Sequence, residues 1–236
     1  MDSTTGYFNG LYYEIAGEGQ PLVLIHGGLV NSGLWDDQFE VFAREYRTLR
    51  YDVRGFGKSK SPTSYFSNQS DMRDLLDDLG IQQAYVLGLS MGGAIAIDFT
   101  LAYPDRVAAL IPVAAGLGGY HSTVTSPLRD ELNAAYERGD KERAVELSLQ
   151  MWTDGPYRTP DQVDPTVREH IRAMTSHTFD LPDVEPWSQR LEPPAIDRLA
   201  EIHVPTLFVV GDQDAEEILK ISDLIVLRMK VSLTGS

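Results

Sequence analysis

Short apolar runs are spread along the first half of the chain, and polar or glycine-containing segments separate them. Residues 22–25 are continuously apolar, which is typical of a strand covered on both faces. The same reading predicts further strands at residues 11–15, 48–52, 84–87 and 107–115.

Helical patterns lie between these runs. Leucines at helical spacing lead up to Gly80, a residue that commonly follows a helix end, and residues 92–103 form a second helical pattern that stops at Pro104. Strands that alternate with helices are typical of a mostly parallel, twisted sheet with helices on both faces. The pattern therefore predicts an α/β fold.

The pattern changes after residue 118. Residues 119–195 contain no strand-like run, hold eight of the thirteen prolines and include a charged helical stretch at 128–151. Residues 204–210 return to a strand pattern, and residues 215–228 read as a helix. We therefore expect a helical insertion between two strands of one sheet.

Composition narrows the classes of function. The 236 residues suit one domain, and a net charge of −15 argues against binding to nucleic acid or to an anionic membrane surface. The absence of cysteine excludes a disulfide scaffold, a thiolate metal site and a cysteine nucleophile. A polar N-terminus and the lack of a membrane-length apolar run predict a cytoplasmic protein.

Residues 88–92 read Gly-Leu-Ser-Met-Gly, a match to the G-x-S-x-G pattern. The match follows a predicted strand directly and opens a predicted helix, which is the setting of a nucleophile elbow. Glycine at both ends suits a tight turn in which side chains would collide with backbone. The alternative is a glycine-rich turn with an incidental serine, but the context favours Ser90 as a nucleophile.

A second glycine turn, His26-Gly27-Gly28, follows the strand at 22–25. The backbone N–H of Gly28 or Leu29, together with that of Met91, is a candidate oxyanion hole. His26 has two interpretations: a catalytic base, or a buried residue that holds the turn through hydrogen bonds. The second is favoured.

Residues 52–59 read Asp-Val-Arg-Gly-Phe-Gly-Lys-Ser and end like a phosphate-binding P-loop. A P-loop requires a glycine five residues before Gly57, where this chain has Asp52. The segment is therefore interpreted as a glycine-rich turn near the same rim of the sheet.

These three motifs together resemble the α/β-hydrolase superfamily, in particular its esterase and lactonase branch, which includes the 3-oxoadipate enol-lactonases. The resemblance implies that Ser90 is the nucleophile, that Asp214 is the triad acid, and that a small-molecule ester or lactone is the substrate, with no cofactor and no metal. It also implies a core at residues 1–118 and 196–236, with residues 119–195 as a helical cap inserted after the sixth strand. Candidate pocket residues in the cap are Trp152, Tyr157, Met174 and Trp187.

The chain departs from this family at the catalytic base. No histidine follows Asp214, whereas the family places its base in a loop after the final strand. Residues 229–236 read as the start of that strand or as an unrelated tail, so we expect the C-terminal part of the fold to be incomplete. His121, at the start of the predicted cap, is the candidate substitute base.

The same departure leaves three functions open. The first is a serine hydrolase, the second a catalytically incompetent relative that binds a ligand, and the third a cofactor-free perhydrolase of the haloperoxidase kind. An incomplete sheet would also expose an apolar edge, so we expect self-association, with the oligomeric state left open.

Overall fold

The computed structural model describes residues 2–229, and six strands in this part form one sheet. The spatial order of the strands is β1-β2-β4-β3-β5-β6, in which β3, β4, β5 and β6 pair in parallel while β1 and β2 pair antiparallel. The strands are β1 (Ser3–Phe8), β2 (Leu11–Ala16), β3 (Pro21–Ile25), β4 (Arg47–Tyr51), β5 (Ala84–Leu89) and β6 (Val107–Val113).

Eight α-helices connect and cover these strands in the described residues. They are α1 (Asp36–Phe42), α2 (Asn68–Asp78), α3 (Met91–Ala102), α4 (Pro127–Glu137), α5 (Lys141–Leu149), α6 (Pro165–Thr178), α7 (Ala195–Arg198) and α8 (Glu216–Met229). The predicted α/β class, with a mostly parallel sheet, is confirmed. None of the helices in residues 2–229 is both long and apolar enough to cross a bilayer.

Strand β3 shows how the sheet is covered on both faces. Val23 and Ile25 are fully buried in a cluster that includes side chains of α2, α3 and α8. Leu22 and Leu24 point to the opposite face, where they pack with Trp35 and with α1. Because side chains alternate along a strand, a continuous apolar run is what such two-sided burial requires.

The N-terminal strand β1 is absent from the sequence prediction. Its residues, Ser-Thr-Thr-Gly-Tyr-Phe, are mostly exposed, so they carry no apolar alternation. The strand forms because every residue from Ser3 to Phe8 pairs with β2 across a short turn. Its pairing partner rather than its own sequence determines its conformation.

The strand predicted at residues 204–210 is only partly realised. The segment runs parallel to β6 and makes isolated bridges, Leu110 with Thr206 and Val113 with Val209. Leu207 and Val209 are 61% and 42% exposed, so the segment lies at a sheet edge rather than in the buried core that its apolar run suggests.

Residues 119–195 are helical, as expected, and contain no strand of the sheet. The stretch predicted at 128–151 is divided near Gly139, which has φ +71°, into α4 and α5. At the C-terminal end, Met229 is the last residue of α8, so it does not begin a strand. The prediction for residues 230–236 lies outside the described residues.

Candidate active site

Ser90 occupies the turn between β5 and α3, as its motif predicts. Its backbone has φ +54° and ψ −111°, a conformation that L-residues rarely adopt. The Ser90 N–H donates to the carbonyl of Val113 over 2.9 Å, and the Ser90 carbonyl accepts from the N–H groups of Ala94 and Gly116. These three hydrogen bonds hold the strained residue between two strands and a helix.

The flanking glycines allow this turn to form. A Cβ on Gly88 would lie 2.1 Å from the carbonyl oxygen of Gly92, and a Cβ on Gly92 would lie 2.4 Å from the carbonyl oxygen of Ile25. Both distances are far below van der Waals contact with backbone atoms that cannot move freely. The two glycines of the pattern are therefore steric requirements of the fold.

The turn after β3 faces the turn at Ser90. A Cβ placed on Gly28 would lie 3.9 Å from the Cβ of Met91, and Leu29 has φ +64°. Met91 is the first residue of α3, so its N–H has no acceptor within the helix and lies at the positive end of the helix dipole. The predicted oxyanion hole of Gly28 or Leu29 with Met91 stays a prediction.

His26 is fully buried and both ring nitrogens are engaged. Nδ1 lies 2.7 Å from the carbonyl oxygen of Gly27, and Nε2 accepts from the N–H of Val53 over 3.0 Å. Burial lowers the pKa of the imidazole, which keeps the ring neutral. The interpretation of His26 as a residue that holds the turn is confirmed.

Asp52 organises the glycine-rich turn at residues 52–59. Its carboxylate accepts from the backbone N–H groups of Ser32 and Lys58, each over 2.7 Å, and the side chain is buried. The Ser59 hydroxyl donates to the Asp52 carbonyl and accepts from the N–H of Tyr12. The segment therefore ties the loops after β3 and β4 together, in agreement with a structural turn.

Ser90 and Asp214 line one cavity of about 330 Å³ at the carboxyl ends of the central strands. Most of its wall is apolar, and two parts of the inserted segment contribute to it: the turn at residues 150–154 and helix α6. The lining residues are Gly27, Gly28, Leu29, Val30, Leu34, Leu89, Ser90, Met91, Ala114, Trp152, Thr153, Ile171, Asp214 and Ile218.

Asp214 lies between the edge segment at 204–210 and helix α8. Its carboxylate accepts from the N–H of Ala215 over 2.7 Å, and its own N–H donates to the carbonyl of Gly211. The structure thus brings Ser90 and Asp214 to one cavity although 123 residues separate them in the chain.

The remaining histidines lie elsewhere. His121 and His203 are exposed, and neither lines the cavity that contains Ser90. On α6, the Nε2 atoms of His170 and His177 each lie 3.2 Å from a backbone carbonyl oxygen, that of Gly33 and that of Gly57 respectively. Within residues 2–229, no group of three or more histidine or acidic side chains is arranged to hold a metal ion.

Helix α6 contacts the core next to the Ser90 cavity. Ile171 lines the cavity, and the sulfur of Met174 lies 3.6 Å from where a Cβ on Gly33 would be. Of the four pocket residues that the sequence suggested, only Trp152 lines this cavity. Ile171 and Thr153 were missed, because nothing in a helical pattern shows which face will meet a distant loop.

Comparison with known proteins identifies the family of the fold. A family model for the alpha/beta hydrolase fold matches residues 20–215. The chain is 31% identical over 214 residues to a putative carbamate hydrolase, RutD, of Azorhizobium caulinodans, covering 87% of this chain and 77% of that protein.

Solved structures give the same result for the fold. A bromoperoxidase from Bacillus anthracis superposes with a TM-score of 0.76 at 25% identity, over 96% of this chain and 88% of that one. An enol-lactonase from Burkholderia xenovorans superposes with a TM-score of 0.63 at 20% identity, over 97% and 100%. The second likeness concerns the fold alone. From the family match and the similarity to the carbamate hydrolase, the chain belongs to the alpha/beta hydrolase fold family.

Proposed function

We propose that this protein is a serine hydrolase that cleaves a small-molecule ester or lactone through nucleophilic attack by Ser90. The observation that carries the proposal is the joint presence of Ser90, in a strained turn, and Asp214 in one largely apolar cavity. Strained backbone at a residue that faces a cavity is typical of functional sites.

In the proposed reaction, Ser90 Oγ attacks the substrate carbonyl and forms an acyl-enzyme, while the alcohol leaves or the lactone ring opens. Water then hydrolyses the acyl-enzyme and frees Ser90. The N–H of Met91, with that of Gly28 or Leu29, would stabilise the negative charge on the carbonyl oxygen. No histidine lines the cavity among the described residues, so the Ser90 proton would pass to water or to an added base such as imidazole and from there to the leaving alkoxide, and Asp214 would stabilise the positive charge formed on the way.

The inserted helices support a cap over this site. Trp152 and Thr153 at one turn and Ile171 on α6 contribute to the cavity wall, so the insertion and the core enclose it together. A largely apolar wall favours a substrate with apolar groups.

A second candidate is ligand binding without turnover. The placement of the five histidines favours it, since His26 is engaged at both nitrogens and the other four do not line the Ser90 cavity. A serine hydroxyl without an adjacent base is a weak nucleophile. This candidate predicts that substrates bind but are not cleaved.

Turnover of a short-chain nitrophenyl ester by the wild type and by Ser90→Ala separates the candidates. For a hydrolase we expect a rate above background that the substitution abolishes. Added imidazole should raise the wild-type rate because it can enter the cavity and accept the Ser90 proton, and it should leave the Ser90→Ala rate at that of imidazole alone. Equal rates for both proteins, with and without imidazole, would support binding without turnover.

A further inference from the structure

A second cavity, of about 390 Å³, lies between the inserted helices and the core. Gly28 and Leu29 line both this cavity and the one that contains Ser90. The turn that carries the predicted oxyanion donors therefore forms part of the wall of both cavities. A substrate whose carbonyl lies at this turn is next to both of them.

The wall of the second cavity is formed mainly by apolar side chains of the insertion. Leu132 and Tyr136 come from α4, and Phe179 follows α6, with the rings of Tyr136 and Phe179 5.7 Å apart. Val184, which also belongs to the insertion, packs on the core at Gly55. A Cβ on Gly55 would lie 2.3 Å from Cγ1 of Val184. The absence of a side chain at Gly55 thus permits the insertion to pack directly on the core.

Neither cavity presents a cationic side chain among the residues that the structure describes. The first cavity is lined by one carboxyl group, that of Asp214, and the second by one, that of Asp183. Arg129, which stacks on Trp152, is paired with Glu217, and Lys141 is paired with Asp180 at 2.7 Å.

This charge distribution disfavours an anionic substrate. A carboxylate that enters either cavity loses water without gaining a cationic partner, and it approaches a fixed negative charge. The positive end of α3 is at Ser90, where the carbonyl oxygen of the scissile bond would use it. A remote carboxylate therefore finds no compensation in the site.

We propose that the substrate is an uncharged ester or lactone that places one apolar part in each of the two cavities, and that the site rejects analogues bearing a carboxylate. This inference rests on the proposed function, because it assumes that the scissile carbonyl lies at Ser90. Neither the fold nor the G-x-S-x-G motif specifies a substrate whose acyl and alcohol parts are both uncharged.

The test measures binding to Ser90→Ala by calorimetry, so that turnover does not consume the ligand. The probes are benzyl valerate, its uncharged polar analogue benzyl glutaramate, and monobenzyl glutarate, which differ only at the far end of the acyl chain. We expect both uncharged esters to bind at least about tenfold more tightly than the carboxylate at neutral pH. Equal binding of amide and carboxylate, tighter binding of the carboxylate, or binding of none of the three would overturn the inference.

A charge introduced into the second cavity provides an independent check. Asn133 is exposed and lines that cavity, so Asn133→Lys should fold and should strengthen binding of monobenzyl glutarate by about three- to tenfold. Glu137→Gln makes the same change in net charge on α4 at an exposed residue outside the cavity, and it should change the affinity less than twofold. Equal effects of the two substitutions would overturn the inference.

These experiments separate the inference from the proposed function. Binding is measured in a variant without the nucleophile, so its result does not depend on catalysis. Wild-type turnover of benzyl valerate tests the hydrolase proposal separately. If the uncharged esters bind more tightly than the carboxylate but benzyl valerate is not cleaved, the result supports the inference and contradicts the hydrolase proposal. If benzyl valerate is cleaved but the three esters bind equally, the result supports the hydrolase proposal and contradicts the inference.

Discussion

Gly92 is the residue on which the geometry of Ser90 depends most directly. A methyl group there would lie 2.4 Å from the carbonyl oxygen of Ile25 and 2.6 Å from that of His26. We expect Gly92→Ala to lower the free energy of unfolding by at least about 2 kcal/mol and to abolish Ser90-dependent turnover, because β3 and α3 must move apart. Thermal unfolding and ester hydrolysis measure both effects.

Gly211→Ala is the matched control for stability, since nothing lies within 4 Å of a Cβ at Gly211. It should unfold within about 0.5 kcal/mol of the wild type. Wild-type stability and activity in Gly92→Ala would contradict the account of the elbow.

Asp98, on α3, is partly buried, and its raised pKa predicts that its ionised form costs stability at neutral pH. Its Oδ1 has no hydrogen-bond partner in residues 2–229, and burial raises its pKa to about 6 although Arg198 and Arg190 oppose the shift. An acid with a raised pKa in the folded state costs stability as the pH rises from its unfolded pKa, near 4, through 6.

We therefore expect Asp98→Asn to raise the free energy of unfolding by about 2 to 3 kcal/mol at pH 7 to 8, because a shift of about two pKa units corresponds to an energy of that size. The gain should shrink toward zero as the pH falls below 4, where the wild-type carboxyl becomes protonated in both states. Chemical unfolding of both proteins across this range measures it. If the difference in the free energy of unfolding does not change with pH, or if Asp98→Asn is less stable than the wild type at neutral pH, the attraction of Arg198 and Arg190 for the carboxylate outweighs the effect of its burial.

At the scale of elements, Arg168 on α6 joins three parts of the insertion. Its guanidinium donates to Asp154 over 2.9 Å and to Glu146, on α5, over 2.7 Å. Asp154 is buried, so removal of Arg168 leaves an unpaired buried charge. We expect Arg168→Ala to cost about 3 kcal/mol, whereas Arg143→Ala, which breaks an exposed pair with Glu131, should cost less than about 1 kcal/mol.

The ion pairs of Arg168 with Glu146 and Asp154 make the stability of the fold depend on pH in the acid range. Hydrogen bonds from Arg168 lower the pKa of Glu146 to about 2, against the opposing effect of burial. A carboxyl with a lowered pKa adds stability above its unfolded pKa, near 4.5, and that stability is lost as the pH falls toward 2. The difference in the free energy of unfolding between the wild type and Arg168→Ala should therefore become smaller as the pH falls from 4.5 toward 2. A difference that stays constant would contradict the assignment.

Elements whose sequence pattern reflects their own burial are predictable, and elements formed by pairing are not. The two-sided burial of β3 follows from its apolar run, and Ser90 follows from a strand-turn-helix pattern that only glycines permit. Strand β1 is polar and forms by pairing with β2, while residues 204–210 carry a core-like run at a sheet edge. Sequence alone cannot show which partner is present beside a strand.

The same distinction applies to the candidate site. Ser90 was predicted from its strand-turn-helix motif and Asp214 from the resemblance to the α/β-hydrolase superfamily, and both side chains line one cavity. Of the cavity residues that the insertion contributes, Trp152 was suggested by the sequence, whereas Ile171 was missed because it reaches the cavity only through the packing of the insertion. The helical spacing of Ile171 is equally compatible with an ordinary core.

For the whole molecule, the edge beside β6 is the feature that bears on association. Leu207 is 61% exposed there, and apolar side chains on a sheet edge favour contact with a second copy. We expect the 236-residue chain to self-associate with rising concentration in light scattering, and Leu207→Lys to reduce the effect. A monodisperse monomer at high concentration for the unsubstituted chain would contradict this prediction.

Covalent labelling shows directly whether Ser90 is the nucleophile of a hydrolase site. The protein is incubated with a fluorophosphonate, which reacts with activated serines, and the modified peptide is identified by mass spectrometry beside a Ser90→Ala control. We expect a single adduct on the peptide that contains Ser90 and none in the variant. Labelling at another residue, or an unlabelled Ser90 at concentrations that modify other serine hydrolases, would contradict it.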